Sequence, residues 1–171
     1  MVKLPAVTIR PGEASDLSRL TAIYNHYVVE TPTTFDVEPF TVGERLEWFN
    51  RYAKTGRHRL LVAEREGLVL GYTSSSRFHP RAAYDTTVET TILCAPDAVG
   101  QGVGSLLYGA LFDALRGEDV HLVMALITLP NEASCRIHEK FGYRLATVLP
   151  EVGRKFGRYW DVAYYLKPFG R

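Results

Sequence analysis

Gly100, Gly102 and Gly104 stand at every second position and lead into the apolar run of residues 105–115. Glycine at a helix entrance costs backbone entropy and contributes no packing. What it permits is close approach. Without Cβ atoms, N–H groups can converge on an anion, and the helix N-terminus adds its partial positive charge. The spacing points to a phosphate cradle, with a flexible turn as the plainer reading. Glu89 places a carboxylate, a ready proton acceptor, inside the β-rich run of residues 83–94, where carboxylates are disfavoured. A solvated strand position is its plainer reading. His138 has an ordinary pKa of ~6.5 and can exchange protons near neutrality, or simply hydrogen-bond within a helix. Cys135 and His138 lie three apart, but two ligands do not make a metal site, and no metal is expected.

The elements that must carry these groups follow from periodicity. Residues 6–12 read as a short strand ended by Pro11 and Gly12, and residues 14–30 as a helix with Leu17, Leu20, Ile23, Tyr24 and Tyr27 on one face. Thr41 and Glu44 have capping-box spacing, predicting a helix to about Lys54. Glu66 and Gly67 mark a turn between two strands. Strand alternation sets Glu89, Thr91 and Leu93 opposite Val88, Thr90 and Ile92. The helix behind the glycines turns Leu107, Leu111, Ala114 and Leu115 inward. Residues 122–129 are wholly apolar, as at a sheet centre. Asn131 after Pro130 suits a helix N-cap, and Ala133, Ile137 and Phe141 then share a face. Residues 143–153 and 159–166 predict two last strands. The order βααβββαβαββ predicts an α/β sheet with helices on both faces.

The chain has 171 residues, enough for one domain with a sizeable core. Its 20 Lys plus Arg against 19 Asp plus Glu leave a net charge of +1, which makes no electrostatic case for nucleic acid or an anionic membrane. No run is apolar and long enough to span a bilayer, and the opening residues lack an apolar signal core, so export is not expected. Two cysteines form no disulfide framework, and a cytoplasmic location with reduced thiols is the expectation.

No Gly-Lys-Ser/Thr is present, which argues against a P-loop, and the Gly-x-Gly-x-Gly spacing after the fourth strand argues against a dinucleotide fingerprint. The succession of strand, Gly-x-Gly-x-Gly, amphipathic helix, apolar strand and "LPNEASCRIHEKFGY" resembles the GNAT N-acetyltransferase superfamily. "IYNHYV", "TFDVEP", "RAAYDTTVETTI", "GQGVGSLLY" and "VGRKFGRYWDV" narrow the resemblance to the phosphinothricin and methionine sulfoximine acetyltransferase group. These blocks run collinearly from about Thr8 to Tyr165. The resemblance implies one N-acetyltransferase domain over residues 1–171, with its core at about 7–167. It implies a single mixed, mainly antiparallel twisted sheet of about seven strands with about four helices.

It also implies acetyl-CoA as co-substrate. The pyrophosphate would meet the amides of Gly100, Gln101, Gly102, Val103, Gly104 and Ser105. Ile92, Leu93 and Cys94 would offer main chain to the pantetheine arm, with Asn131 and Ser134 beside it. A main-chain N–H near these residues would polarise the thioester carbonyl. The superfamily usually has Arg or Gln where Val99 stands and often a basic residue where Gln101 stands. Both are uncharged here, so weaker long-range attraction for phosphate is expected. Glu89 matches the general base of the group, and His138 stands where the group has His and many relatives have Tyr as acid. Whether His138 is acid, base or ligand stays open.

Phe35, Arg81 and Tyr84 match positions lining the acceptor pocket, although Phe35 could equally be a tucked loop aromatic and Arg81 a solvated charge. Together they suggest a small amino acid whose carboxylate meets Arg81. His79 replaces the lysine of the drug acetylators, which argues against a phosphinate-bearing acceptor. Another small amine, a protein N-terminus, or a non-catalytic acyl-CoA sensor are the alternatives. A homodimer is implied by resemblance alone.

Overall fold

The computed structural model describes residues 5–170; residues 1–4 and 171 of the expected domain lie outside them. Seven strands form one sheet in the order β1-β2-β3-β4-β5-β7-β6. They are β1 (Thr8–Pro11), β2 (Leu60–Arg65), β3 (Leu68–Arg77), β4 (Thr87–Cys94), β5 (Leu122–Leu129), β6 (Arg144–Lys155) and β7 (Arg158–Pro168). The helices are α1 (Leu17–Glu30), α2 (Val42–Phe49), α3 (Val103–Leu115) and α4 (Glu132–Lys140). All pairings are antiparallel except β4 with β5. The order of elements and the mixed sheet are those expected from the periodicity and the resemblance.

Local chemistry explains most boundaries. Glu66 and Gly67 both take positive φ, 50° and 80°, in the two-residue turn that joins β2 to β3. Thr41 and Glu44 exchange the reciprocal bonds of a capping box at the start of α2. That helix ends at Phe49, earlier than the expected Lys54. The chain bends back after Asn50, and the Ala53 N–H already bonds the His58 carbonyl at 3.0 Å. A local main-chain bond within the loop that leads to β2 replaces the next helical turn there.

Two apolar clusters lie against the sheet. One gathers Leu20 and Ile23 of α1 with Leu60, Val62, Tyr72 and Leu93. The other gathers Tyr108, Leu111 and Leu115 of α3 with Leu61, Val88, Val123 and Ile127. Leu61 belongs to one cluster and its neighbours Leu60 and Val62 to the other, as alternation across a sheet requires. Glu89 and Leu93 therefore share the α1 side of the sheet, and Val88 and Ile92 the α3 side.

Candidate active site

The decisive feature of the sheet is a fork. β4 and β5 pair only over Thr87–Leu122, Val88–Val123 and Glu89–Met124. Beyond Glu89 the strands diverge, while β4 continues to Cys94 and β5 to Leu129. The crotch is closed by Thr90, whose hydroxyl donates to the Met124 carbonyl at 3.1 Å and lies 2.6 Å from the Tyr143 hydroxyl. Main-chain direction on β4 follows from one bond: Ala95 N–H donates to the Leu70 carbonyl of β3 at 2.8 Å. By antiparallel alternation, Thr91 and Leu93 also turn their main chain to β3. Ile92 and Cys94 turn theirs into the fork, where β5 no longer answers. The Cys94 carbonyl already accepts from the Tyr27 hydroxyl at 2.7 Å, leaving Ile92 with both its main-chain groups to offer and Cys94 with its N–H. Leu93 presents its side chain only.

A groove of about 380 Å³ fills the fork. Because the fork opens through the sheet, residues from both faces meet in it: Phe35 from the α1–α2 loop, Glu89 and Thr91 from β4, and Ser134 and His138 from α4. The apolar strand β5 is thus not wholly buried. Leu126 is exposed and lines the groove.

Glu89 stands at the last paired position before the fork. It is half-buried, and burial alone raises its carboxyl above the ordinary glutamate value. No cation in the described residues forms an ion pair with it. A carboxylate held this way is a better proton acceptor than a solvated one.

His138 is buried, with Nδ1 2.7 Å from the Ser134 carbonyl and Nε2 2.7 Å from the Tyr108 hydroxyl. A carbonyl can only accept, so Nδ1 carries the proton and Nε2 accepts from Tyr108. Burial, the largest influence, pushes the imidazole below its ordinary value. The neutral ring is therefore the resident form at neutral pH.

The glycine loop has two different reasons for its glycines. Gly100 and Gly102 both have φ of 79°, and a Cβ on either would meet nothing within 4 Å. Gly102 is the N-cap of α3, and no side chain caps the helix there. Of the first N–H groups of α3, that of Ser105 donates to the Gly102 carbonyl at 3.1 Å, and no side chain caps those of Val103 and Gly104. Gly104 is different. A Cβ there would lie 2.9 Å from Ile137 Cδ1 and 3.3 Å from Ile92 Cδ1, so its absence lets α3 approach α4 and β4. Gln101 lies in the loop with Nε2 on the Asp97 carbonyl at 2.6 Å. Two cations reach this end of α3 from distant segments. Arg65 Nη1 donates to Gln101 Oε1 at 3.2 Å, and Lys140 Nζ donates to Ser105 Oγ at 2.9 Å. The uncharged Val99 and Gln101 are thus accompanied by basic groups that local sequence could not place.

Asn131 caps α4, accepting from Ser134 N–H at 3.1 Å. Its amide NH2 has no partner among the described residues.

Phe35 is held by a clamp. A Cβ on Gly153 would fall 2.2 Å from the Phe35 ring, so the ring packs directly against that glycine. Lys155 Nζ fixes the same loop by donating to the Thr34 carbonyl at 2.7 Å. Gly153→Ala is expected to eject the ring from the groove wall and cost about 1–3 kcal/mol of stability, the usual penalty of overpacking. Thermal or urea unfolding checks this, and unchanged stability would show that the loop is not clamped.

Arg81 and Tyr84 are exposed and line neither the groove nor the larger cleft beside it. Arg81 precedes the 3-10 turn Ala82–Tyr84, and its N–H donates to His79 Nδ1 at 3.2 Å. Tyr84 packs on His79, with ring centres 4.6 Å apart. The structure thus brings Phe35, Glu89 and His138 together and leaves Arg81 and Tyr84 on an outer loop. His79 does line the larger cleft, of about 1070 Å³. Tyr24 and Thr91 border both spaces.

Among the described residues, no group of three or more His, Cys, Asp or Glu is placed to hold a metal ion. None of the described helices is long and apolar enough to cross a membrane.

The sequence and the fold both have counterparts among known proteins. Residues 20–143 match the model of the acetyltransferase (GNAT) family. The chain belongs to the GNAT family. Within it, the chain is 54% identical over 164 residues to a phosphinothricin N-acetyltransferase of Streptomyces coelicolor, covering 95% of this chain and 96% of that one. It is 32% identical over 159 residues to an L-methionine sulfoximine/L-methionine sulfone acetyltransferase of Pseudomonas paraeruginosa, covering 93% and 92% of the two chains. Among solved structures, a GNAT superfamily phosphinothricin acetyltransferase from Sinorhizobium meliloti in complex with AcCoA superposes with a TM-score of 0.91 at 30% identity, covering 96% of this chain and 89% of that one. In this GNAT chain the residues lining the fork are the ones to which chemistry must be assigned.

Proposed function

We propose that this GNAT chain transfers the acetyl group of acetyl-CoA to the α-amine of a small amino acid of the methionine sulfone, methionine sulfoximine or phosphinothricin type. The observation that carries this reading is an unpaired, half-buried carboxylate at the apex of a strand fork, beside an uncapped helix N-terminus. Relatives named for these acceptors support the substrate class. Residues 1–171 are taken as one catalytic domain.

The residues fit the co-substrate. The open space at Gly100 and Gly102 leaves room for a pyrophosphate. The amides of Gly100, Gln101, Gly102, Val103, Gly104 and Ser105 would hold it, with Arg65 and Lys140 adding charge. Asn131 and Ser134 would flank the pantetheine arm. Ile92 main chain would bond it as a missing strand, and its N–H would polarise the carbonyl under attack. Acetyl-CoA supplies an acetyl group activated as a thioester.

An amino acid arrives as an ammonium, which has no lone pair. Glu89 takes its proton, directly or through one water, and the freed amine can attack the thioester carbonyl; the C–N bond forms, the C–S bond breaks, and the proton shed by the new amide nitrogen goes to the departing thiolate. His138 can receive a proton only at Nε2, where Tyr108 already donates. Its part is to hold the wall of the fork and to exchange protons through that hydroxyl. Phe35 closes the groove over the acceptor, while Arg81 and Tyr84 stay on the outer loop and bear on the larger cleft only through His79. The protein works in the cytoplasm as a homodimer. The exposed apolar residues of the edge strand β6, Leu145, Val148, Leu149 and Val152, suit a self-association face.

A thiol-release screen over common amino acids, methionine sulfone, methionine sulfoximine and phosphinothricin tests the reading. Turnover is expected on the methionine derivatives, with phosphinothricin poorer because His79 replaces a lysine. Equal turnover of simple amines would remove the acceptor class and leave only the acetyl-CoA half.

A further inference from the structure

The larger cleft, which shares Tyr24 and Thr91 with the groove, contains a cation that nothing neutralises. Three arginines lining it are paired: Arg51 with Glu47 at 2.7 Å, Arg57 with Asp119 at 2.8 Å and Arg77 with Asp85 at 2.8 Å. Arg45, on α2, lines the same cleft and forms no ion pair with any described residue. It is only 6% exposed, and its Nε and Nη2 have no hydrogen-bond partner. The guanidinium is sandwiched, its carbon 3.7 Å from the Trp48 ring centre and 4.1 Å from that of Tyr24.

Ring faces stabilise the charge but accept no in-plane N–H, and although the Tyr72 hydroxyl stands beside the guanidinium, Nε and Nη2 remain without a partner. Orphaned buried donors on a full charge are among the costlier arrangements in a protein. A methionine or leucine would fill the same space without that cost. The sandwich also fixes the plane of the fork in advance, and a planar fork matches a pair of oxygens. Of the acids lining the cleft, Glu47 and Asp85 are paired with other arginines, and Asp36, in no ion pair among the described residues, accepts from the Tyr24 hydroxyl.

We propose that Arg45 reads the acceptor: its guanidinium edge binds an anionic or strongly polarised oxygen pair of the amino acid whose amine sits at Glu89. This rests on the amino-acid acceptor proposed above. Two groups of such an acceptor carry this chemistry, the α-carboxylate and the distal sulfone, sulfoximine or phosphinate oxygens. Because Thr91 borders both spaces, one small molecule can hold its amine in the fork and its oxygens in the cleft.

The test compares wild type with Arg45→Met on three acceptors: methionine sulfone, its methyl ester, and methionine. The ester lacks the carboxylate, and methionine lacks the distal oxygens. One of these two changes is expected to lower kcat/KM of the wild type about 100-fold, the scale of losing a buried charge-assisted pair. The same change should cost Arg45→Met little, and the KM for acetyl-CoA should not move. Loss of the ester penalty identifies the carboxylate, and loss of the methionine penalty the distal oxygens. Both penalties surviving in Arg45→Met overturn the assignment while the proposed function stands. A wild type that acetylates no amino acid overturns both.

Should Arg45→Met fail to fold, Trp48 reports in its place. The chain has two tryptophans, so Trp160→Phe leaves Trp48, stacked on Arg45, as the sole emitter. With CoA present to prevent transfer, methionine sulfone should change its emission, and one of the two analogues should fail to. Identical responses to all three overturn the proposal.

Discussion

Glu89→Gln is expected to lower kcat by about 10²- to 10⁴-fold, the usual worth of a general base, with acetyl-CoA affinity nearly unchanged. Gln matches the shape of Glu but cannot take a proton from an ammonium. The wild-type carboxyl is raised by burial, with no cation to lower it. Only its ionised form is a base, so kcat/KM should climb with pH through an acid limb lying above the ordinary carboxylate range of ~4.3. That limb should vanish in Glu89→Gln. Stability should move the opposite way. A group whose folded pKa is raised contributes stability that is present below its unfolded value and lost as pH rises through the folded value. At neutral pH the ionised Glu89 is therefore a stability cost, and Glu89→Gln should melt no lower than wild type. A severely slow yet equally stable variant separates chemistry from folding. Full turnover of the variant across about pH 6 to 9 would remove Glu89 from the mechanism.

The second large effect is expected at the cradle. Gly102→Asp should abolish the rise in melting temperature that acetyl-CoA gives the wild type, through an affinity loss of about 10²-fold or more. Two causes act together. The new carboxylate would stand where the pyrophosphate is proposed to bind, and like charges a few ångströms apart repel strongly. Asp is also a favourable N-cap, so it would bond the N–H groups of α3 that Gly102 leaves uncapped. For the same reason the unliganded variant should lose little stability. The left-handed φ of 79° costs Asp something, but there is room for the side chain. Gly102→Ala carries the backbone cost without charge or cap, and should keep most of the acetyl-CoA effect. ATP and NAD should stabilise neither protein. A Gly102→Asp variant that retains the full acetyl-CoA shift would place the pyrophosphate elsewhere.

Features whose cause lies within a few residues were legible in the sequence. The turn at Glu66 and Gly67, the box of Thr41 with Glu44 and the cap of Asn131 on Ser134 are bonds spanning at most three positions, and each is present. Hydrophobic period gave the order of strands and helices for the same reason, since a face must be apolar wherever a core lies. The blocks around Glu89, the glycines and Asn131 identified the family. Tertiary structure alone decided the rest. Whether β4 and β5 stay paired past Glu89 and Met124 is set by partners 35 residues apart, and no pattern within either strand encodes the divergence. The same holds for Arg65 beside Gln101, Lys155 on the Thr34 carbonyl, and Tyr108 on His138. Phe35 and Arg81 read alike as acceptor contacts, yet the fold sends one into the fork and the other to an outer loop. Nothing in the sequence around Arg45 sets it apart from the other arginines of the chain. Its isolation is a property of four segments packed around it, because a missing counter-charge can be seen only when every neighbour has been placed.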